Sequence, residues 1–201
     1  MTKLKFFLVL NFLGSCSTLN TSEMASILYS PFASNDIEVT QPYFKNAPYS
    51  FAKLNIGRDS IIIVLSNIDN GLHEWVSSEG VRIFTFKGKI VRTIGLTYDI
   101  SVTNFKSFRL EDDHAILATS FYGPDLSSLM ESTVTKSSSE QSIYMGNSIK
   151  STTYKERVTN PRIRFYGDNM YLLADNGFVF RSEQKIHPFI PRIKIEYFYK
   201  F

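Results

Sequence analysis

The chain has 201 residues, with 22 Lys+Arg against 19 Asp+Glu, and two of the basic residues, Lys3 and Lys5, lie at the extreme N-terminus. The other 20 basic and 19 acidic side chains leave the remainder close to neutral, which excludes the concentrated basic surface of a nucleic-acid binder. The 17 Phe, 11 Tyr and one Trp favour strands over helices, and a lone cysteine excludes an internal disulfide framework.

Residues 1–5 carry two lysines and no acid, residues 6–13 are apolar apart from Asn11, and Leu13-Gly14-Ser15-Cys16 follows. These are the charged and hydrophobic regions of a secretory signal. The apolar run falls far short of the ~18 to 20 residues that cross a bilayer as a helix. The Leu-Gly-Ser-Cys stretch resembles the bacterial lipobox. That resemblance implies diacylglyceryl transfer to the Cys16 sulfur, cleavage after Ser15 and acylation of the new amino terminus. Small residues let an extended backbone enter a peptidase cleft, and a thiol is the best available nucleophile for the thioether. The expected organisation is a lipoprotein signal peptide at 1–15, a lipidated tether at 16–22 and one periplasmic β domain at 23–201. Several acyl chains on Cys16 would hold the domain firmly at a membrane. Ser17, rather than Asp, follows the cysteine; by the bacterial sorting rule this points to the outer membrane, periplasmic face.

Beyond the tether, Ser22 is placed to cap a short helix over 23–29, which Pro31 stops. Residues 37–40 read as a strand, with Pro42 marking an edge or a break. The 60–68 run (Ser-Ile-Ile-Ile-Val-Leu-Ser-Asn-Ile) is continuously apolar at its centre, and predicts a strand covered on both faces. Lys87-Gly88 and Asp175-Asn176-Gly177 read as tight hairpin turns. Residues 108–129 give no clear period, and the Ser/Thr-rich stretch 130–142 fits either an exposed polar strand or a flexible loop. Strands resume at 148–158, 162–166, 170–174 and 178–183, and period-two apolar residues from Ile193 to Phe201 make a closing or edge strand. Ten or more strands joined by short turns define an all-β, single antiparallel domain, either a sandwich or a curled half-barrel, with a short N-terminal helix.

Several segments carry a family resemblance. Ile37-Glu-Val-Thr, Ala47-Pro-Tyr-Ser, the 60–68 strand, Glu74-Trp75-Val-Ser-Ser and Gly88-Lys-Ile-Val-Arg-Thr-Ile-Gly-Leu occur in this order. Asp175-Asn-Gly-Phe-Val-Phe-Arg-Ser and Ile190-Pro-Arg-Ile-Lys-Ile-Glu-Tyr follow late in the chain. The series resembles the group 4 capsule polysaccharide lipoproteins of GfcB/YjbF type, whereas residues 106–150 match poorly. The resemblance implies an outer-membrane lipoprotein that serves capsule or exopolysaccharide export and is not an enzyme. Of individual residues it transfers only Cys16, as the lipid-bearing position.

Enzyme motifs are not evident: there is no Gly-x-Ser-x-Gly elbow, phosphate loop, dinucleotide fingerprint or paired-His zinc motif. Neither a cofactor nor a metal is expected. Glu111-Asp112-Asp113-His114 offers ligand types, but consecutive strand residues point to opposite faces, and a solvated turn is the better reading. Trp75, Tyr49 and Tyr98 could stack on sugars, yet aromatics in a disulfide-free β domain belong first to the core. The expected partners are the outer membrane through Cys16, with polysaccharide-export proteins or glycan. The rival readings are a polysaccharide-modifying enzyme and a chaperone-like binder of exported outer-membrane proteins.

Overall fold

The structure is a computed structural model that describes residues 37–111 and 113–200. Cys16 and the helix expected at 23–29 lie outside the described residues. Residues 37–40, which read as a strand, have no regular structure, and the first element, helix α1 (Gln41–Asn46), begins where Pro42 pointed to an edge or a break. Thr40 is its N-cap, its hydroxyl accepting the Tyr43 N–H at 3.3 Å. Pro42 falls in the first turn, where the missing N–H costs nothing. The proline that argued for a strand edge therefore starts a helix.

Twelve strands follow among the described residues: β1 (Phe51–Ile56), β2 (Asp59–Asp69), β3 (Leu72–Ser77), β4 (Arg82–Phe86), β5 (Lys89–Ile94), β6 (Ile100–Val102), β7 (Asp113–Phe121), β8 (Leu126–Tyr144), β9 (Asn147–Asn160), β10 (Phe165–Ala174), β11 (Val179–Gln184) and β12 (Ile193–Phe198). Each pairs antiparallel with its sequence neighbours, and β12 returns to β1 in register from Phe51↔Phe198 to Ile56↔Ile193. The all-β, single-domain expectation holds, and the sheet that could have been a sandwich or a half-curl closes completely. Closure removes the outer edges of the sheet, but residues 135–144 of β8, beyond the last β7 partner at Val134, pair in the sheet with β9 alone.

The polar stretch at 130–142 is strand, inside the 19-residue β8 whose partner is β9. The strands expected at 162–166 and 170–174 are one ten-residue strand, β10, which begins only at Phe165; residues 162 and 163 lie in the 3-10 turn at Pro161–Ile163 and Arg164 is its left-handed cap. Asn160 caps that turn through its side-chain oxygen and donates to Ser128 Oγ at 2.6 Å and Leu129 O at 2.7 Å. The 60–68 strand is not covered on both faces. Ile63 is buried, Ile62 and Val64 are half-buried, and Ile68 is 52% exposed beyond a register shift between Leu65 and Asn67.

The barrel has a packed interior. Leu54, Ile63, Trp75, Ile83, Leu117, Met130, Tyr171, Ile193, Ile195 and Tyr197 are buried in one continuous cluster. The outward positions of β8 and β9 carry exposed Glu131, Thr133, Thr135, Lys155 and Arg157. A transmembrane barrel would present an apolar band there, so this polarity is the reverse and suits a water-facing domain. One outer patch is covered: α1 packs over β1 and β12, with Phe44 and Tyr43 against a Phe51–Phe198 stack whose centroids lie 4.9 Å apart. At one end the β4–β5 turn folds onto β11, so that a Cβ on Gly88 would lie 2.7 Å from Val179 Cγ1. With φ at +79° as well, that position demands glycine on both counts.

Candidate functional site

Two constellations stand out, one sealed inside the barrel and one at its mouth. The first is centred on Glu156 of β9. Strand alternation turns Ser132 of β8, Glu156 of β9, Asn169 and Tyr171 of β10, and Ser182 and Gln184 of β11 inward, and all are buried. Lys89 of β5 reaches the Glu156 carboxylate, its Nζ 2.6 Å from Oε1 and 2.9 Å from Oε2. Ser132 Oγ donates to the same carboxylate at 2.5 Å, Tyr171 OH at 2.6 Å and Asn169 Nδ2 at 2.8 Å. Gln184 continues the network: its oxygen accepts the Ile90 N–H at 2.9 Å and its amide donates to Gly88 O at 2.8 Å.

A charge removed from water is tolerated only when its partners are complete. Burial pushes the Glu156 carboxyl up, but the Lys89 ammonium and the hydroxyl donors outweigh it and hold the group below the usual carboxylate range. Tyr171 moves the other way, well above the usual phenol range, first through burial and then through the neighbouring Glu156 charge. The void beside this cluster, bordered by Lys89, Asn169, Lys185 and Met130, is about 30 Å³. That is space on the scale of a water molecule or two and not of a sugar. The network ties β5, β8, β9, β10 and β11 together across the lumen.

The second constellation is a column of rings running from the core to the end of the barrel that carries the β2–β3, β4–β5 and β10–β11 turns. Trp75 and Tyr197 are fully buried with centroids 5.3 Å apart, and Trp75 Nε1 donates to Thr85 Oγ1 at 3.0 Å. Tyr199 lies parallel to Tyr197 at 5.9 Å and 12°. It also meets Trp75 at 5.8 Å, His73 at 5.9 Å and Phe178 at 5.3 Å. Burial lowers the pKa of His73, which leaves it neutral near pH 7. The column opens into a cleft of about 380 Å³.

The positions singled out in the sequence scatter. Cys16 lies outside the described residues. Trp75 belongs to the core, as expected, while Tyr49 is exposed and Tyr98 stacks on His187 at 5.1 Å near the opposite end. His187 is buried, its Nδ1 accepting the Phe189 N–H at 3.1 Å. Asp112 is outside the described residues, whereas Asp113 and His114 open strand β7 rather than a solvated turn, with Asp113 Oδ1 accepting the His114 N–H at 2.8 Å. Among the described residues no cluster of His, Cys, Asp or Glu has metal-binding geometry. Lys89 and Glu156 were not singled out in the sequence: Lys89 follows the Lys87-Gly88 turn and Glu156 lies between Lys155 and Arg157 in the expected 148–158 strand, and only the register of the closed sheet shows that both point into the same interior.

The described residues form a closed antiparallel barrel filled with side chains, with polar outward positions along β8 and β9. Residues 22–198 match the model of the family described as "Group 4 capsule polysaccharide lipoprotein gfcB, YjbF". The chain belongs to this family. It is 26% identical over 188 residues to the uncharacterized lipoprotein GfcB of Escherichia coli (strain K12), covering 87% of each chain. Its fold is similar to the crystal structure of the hypothetical lipoprotein YmcC from Escherichia coli (K12), with a TM-score of 0.72, 18% identity, and coverage of 92% of this chain and 98% of that one.

Proposed function

We propose that the chain is a non-enzymatic outer-membrane lipoprotein, held by lipid on Cys16, that assists assembly or export of a surface polysaccharide. Family membership over residues 22–198 is the observation that carries this reading. The outward positions of β8 and β9 carry Glu131, Thr133, Thr135, Lys155 and Arg157 rather than an apolar band, and lipid on Cys16 would supply the membrane attachment. Confinement to a surface then raises the domain's effective concentration toward partners on the same membrane. The enclosed Glu156 cluster supports an accessory role over glycan cleavage. Glycoside hydrolysis needs two carboxylates flanking a bound sugar, whereas Glu156 is spent on Lys89 within the core.

Deletion of the gene is expected to abolish or strongly reduce cell-surface polysaccharide, read by immunoblot of surface extracts. Wild-type protein should restore it, and Cys16→Ala should not. Unchanged polysaccharide in the deletion strain would sink the export role, and full rescue by Cys16→Ala would sink the need for the anchor.

A further inference from the structure

We propose that the aromatic cleft at the mouth of the barrel is a binding site for a neutral saccharide segment. It is lined by His73, Lys87, Glu111, Tyr154, Phe178 and Tyr199. Its volume of about 380 Å³ lies near the lower end of the roughly 300 to 1,000 Å³ typical of ligand pockets. This deepens the export role proposed above and rests on it for the choice of ligand.

Three features favour a sugar. The rings at the cleft are only partly used by the core: His73, Tyr154 and Tyr199 are half-buried and Phe178 is 36% exposed. A pyranose presents apolar C–H groups on its faces and hydroxyls around its edge, and an aromatic surface with a polar rim complements both. The rim charges offset each other, one Lys87 against one Glu111, and the neutral His73 adds no net charge. A polyanion would need an excess of cations there.

The cleft is also held in shape. Tyr199 rests on the fully buried Tyr197 and Trp75. Phe178 is set by the Asp175-Asn176-Gly177 turn: Asn176 Oδ1 accepts the Phe178 N–H at 3.3 Å, and Phe178 O accepts the Ala174 N–H at 2.9 Å. Little ordering remains to be done on binding, which favours affinity at a small interface.

The test uses the full-length protein in detergent. The probe is a size-fractionated mixture of oligosaccharides released by partial hydrolysis from the surface polysaccharide of the producing cells. Titration by calorimetry should show saturable binding. Emission from Trp75, whose ring lies 5.8 Å from Tyr199, should shift with the same midpoint. Phe178→Ala and, separately, Tyr154→Ala should each weaken binding by about three- to tenfold, the loss of one stacked ring. Ile116→Ala, on the outer face of β7, should leave it unchanged. A thermal melt of each variant verifies the fold, and having two variants keeps the test decisive if one is unstable.

Absence of saturable binding to wild-type protein, or wild-type affinity in both cleft variants, would overturn the proposal. If wild-type protein still restores polysaccharide in the deletion strain, that failure belongs to the cleft and the export role stands. If deletion leaves polysaccharide intact, the export role fails on its own.

Discussion

Lys89→Met is expected to destabilise the barrel by about 3–5 kcal/mol, because it leaves the Glu156 carboxylate buried without its cation. Total stabilities run to only about 5–15 kcal/mol, so this is a large share of the whole. The double substitution Lys89→Met with Glu156→Met removes both charges and should recover part of the loss, the remainder reflecting the Ser132, Asn169 and Tyr171 donors that lose their shared acceptor. Denaturant unfolding of the two variants measures this directly. A single-mutant cost below about 1 kcal/mol would show that the pair is not the isolated unit the geometry describes.

The pH dependence gives that prediction a second readout, with a defined sign. The folded pKa of Glu156 is depressed. Its contribution is therefore fully present above the unfolded carboxylate value of about 4.3 and is lost as pH falls through the folded value. Without Lys89 only burial and neutral donors remain, the carboxyl is pushed upward, and mild acid should stabilise the variant relative to neutral pH.

Trp75→Ala should cost about 3–5 kcal/mol, the range for emptying a fully buried aromatic site. Trp75 is fully buried against Tyr197 and Tyr199 and gives Thr85 its partner. Both the cavity and the lost indole hydrogen bond add to the cost. Because the variant has no tryptophan, circular dichroism during denaturation is the appropriate readout. A shift of less than 1 kcal/mol would mean that the ring column is not part of the load-sharing core.

The sequence disclosed the class of the fold through features that act locally. Asp175-Asn176-Gly177 and Lys87-Gly88 fix hairpins by positive-φ chemistry, and period-two residues from Ile193 onward mark the last strand. Closure was not legible in the same way. It depends on β12 meeting β1 about 140 residues away, a pairing that no local pattern encodes. The long β8 was ambiguous because Ser and Thr at 130–142 satisfy both an exposed strand and a loop; pairing to β9 decides it. Pro42 misled, since the same fixed φ serves a strand edge and a helix start.

Site residues divided along the same line. Trp75 was readable as core from its chemistry alone. Glu156 and Lys89 are charged residues in charged or hairpin contexts, and only the barrel's register sets them facing each other. The mouth cleft gathers His73, Tyr154, Phe178 and Tyr199 from four separate strands and turns, a proximity that closure creates.

The proposed role requires a lipidated chain at the outer membrane. The most direct measurement is an intact mass of the protein recovered from separated inner-membrane, outer-membrane and soluble fractions. A mass equal to the chain from Cys16 onward plus its acyl groups, found in the outer-membrane fraction, is the predicted result. An unmodified chain recovered in the soluble fraction would contradict it.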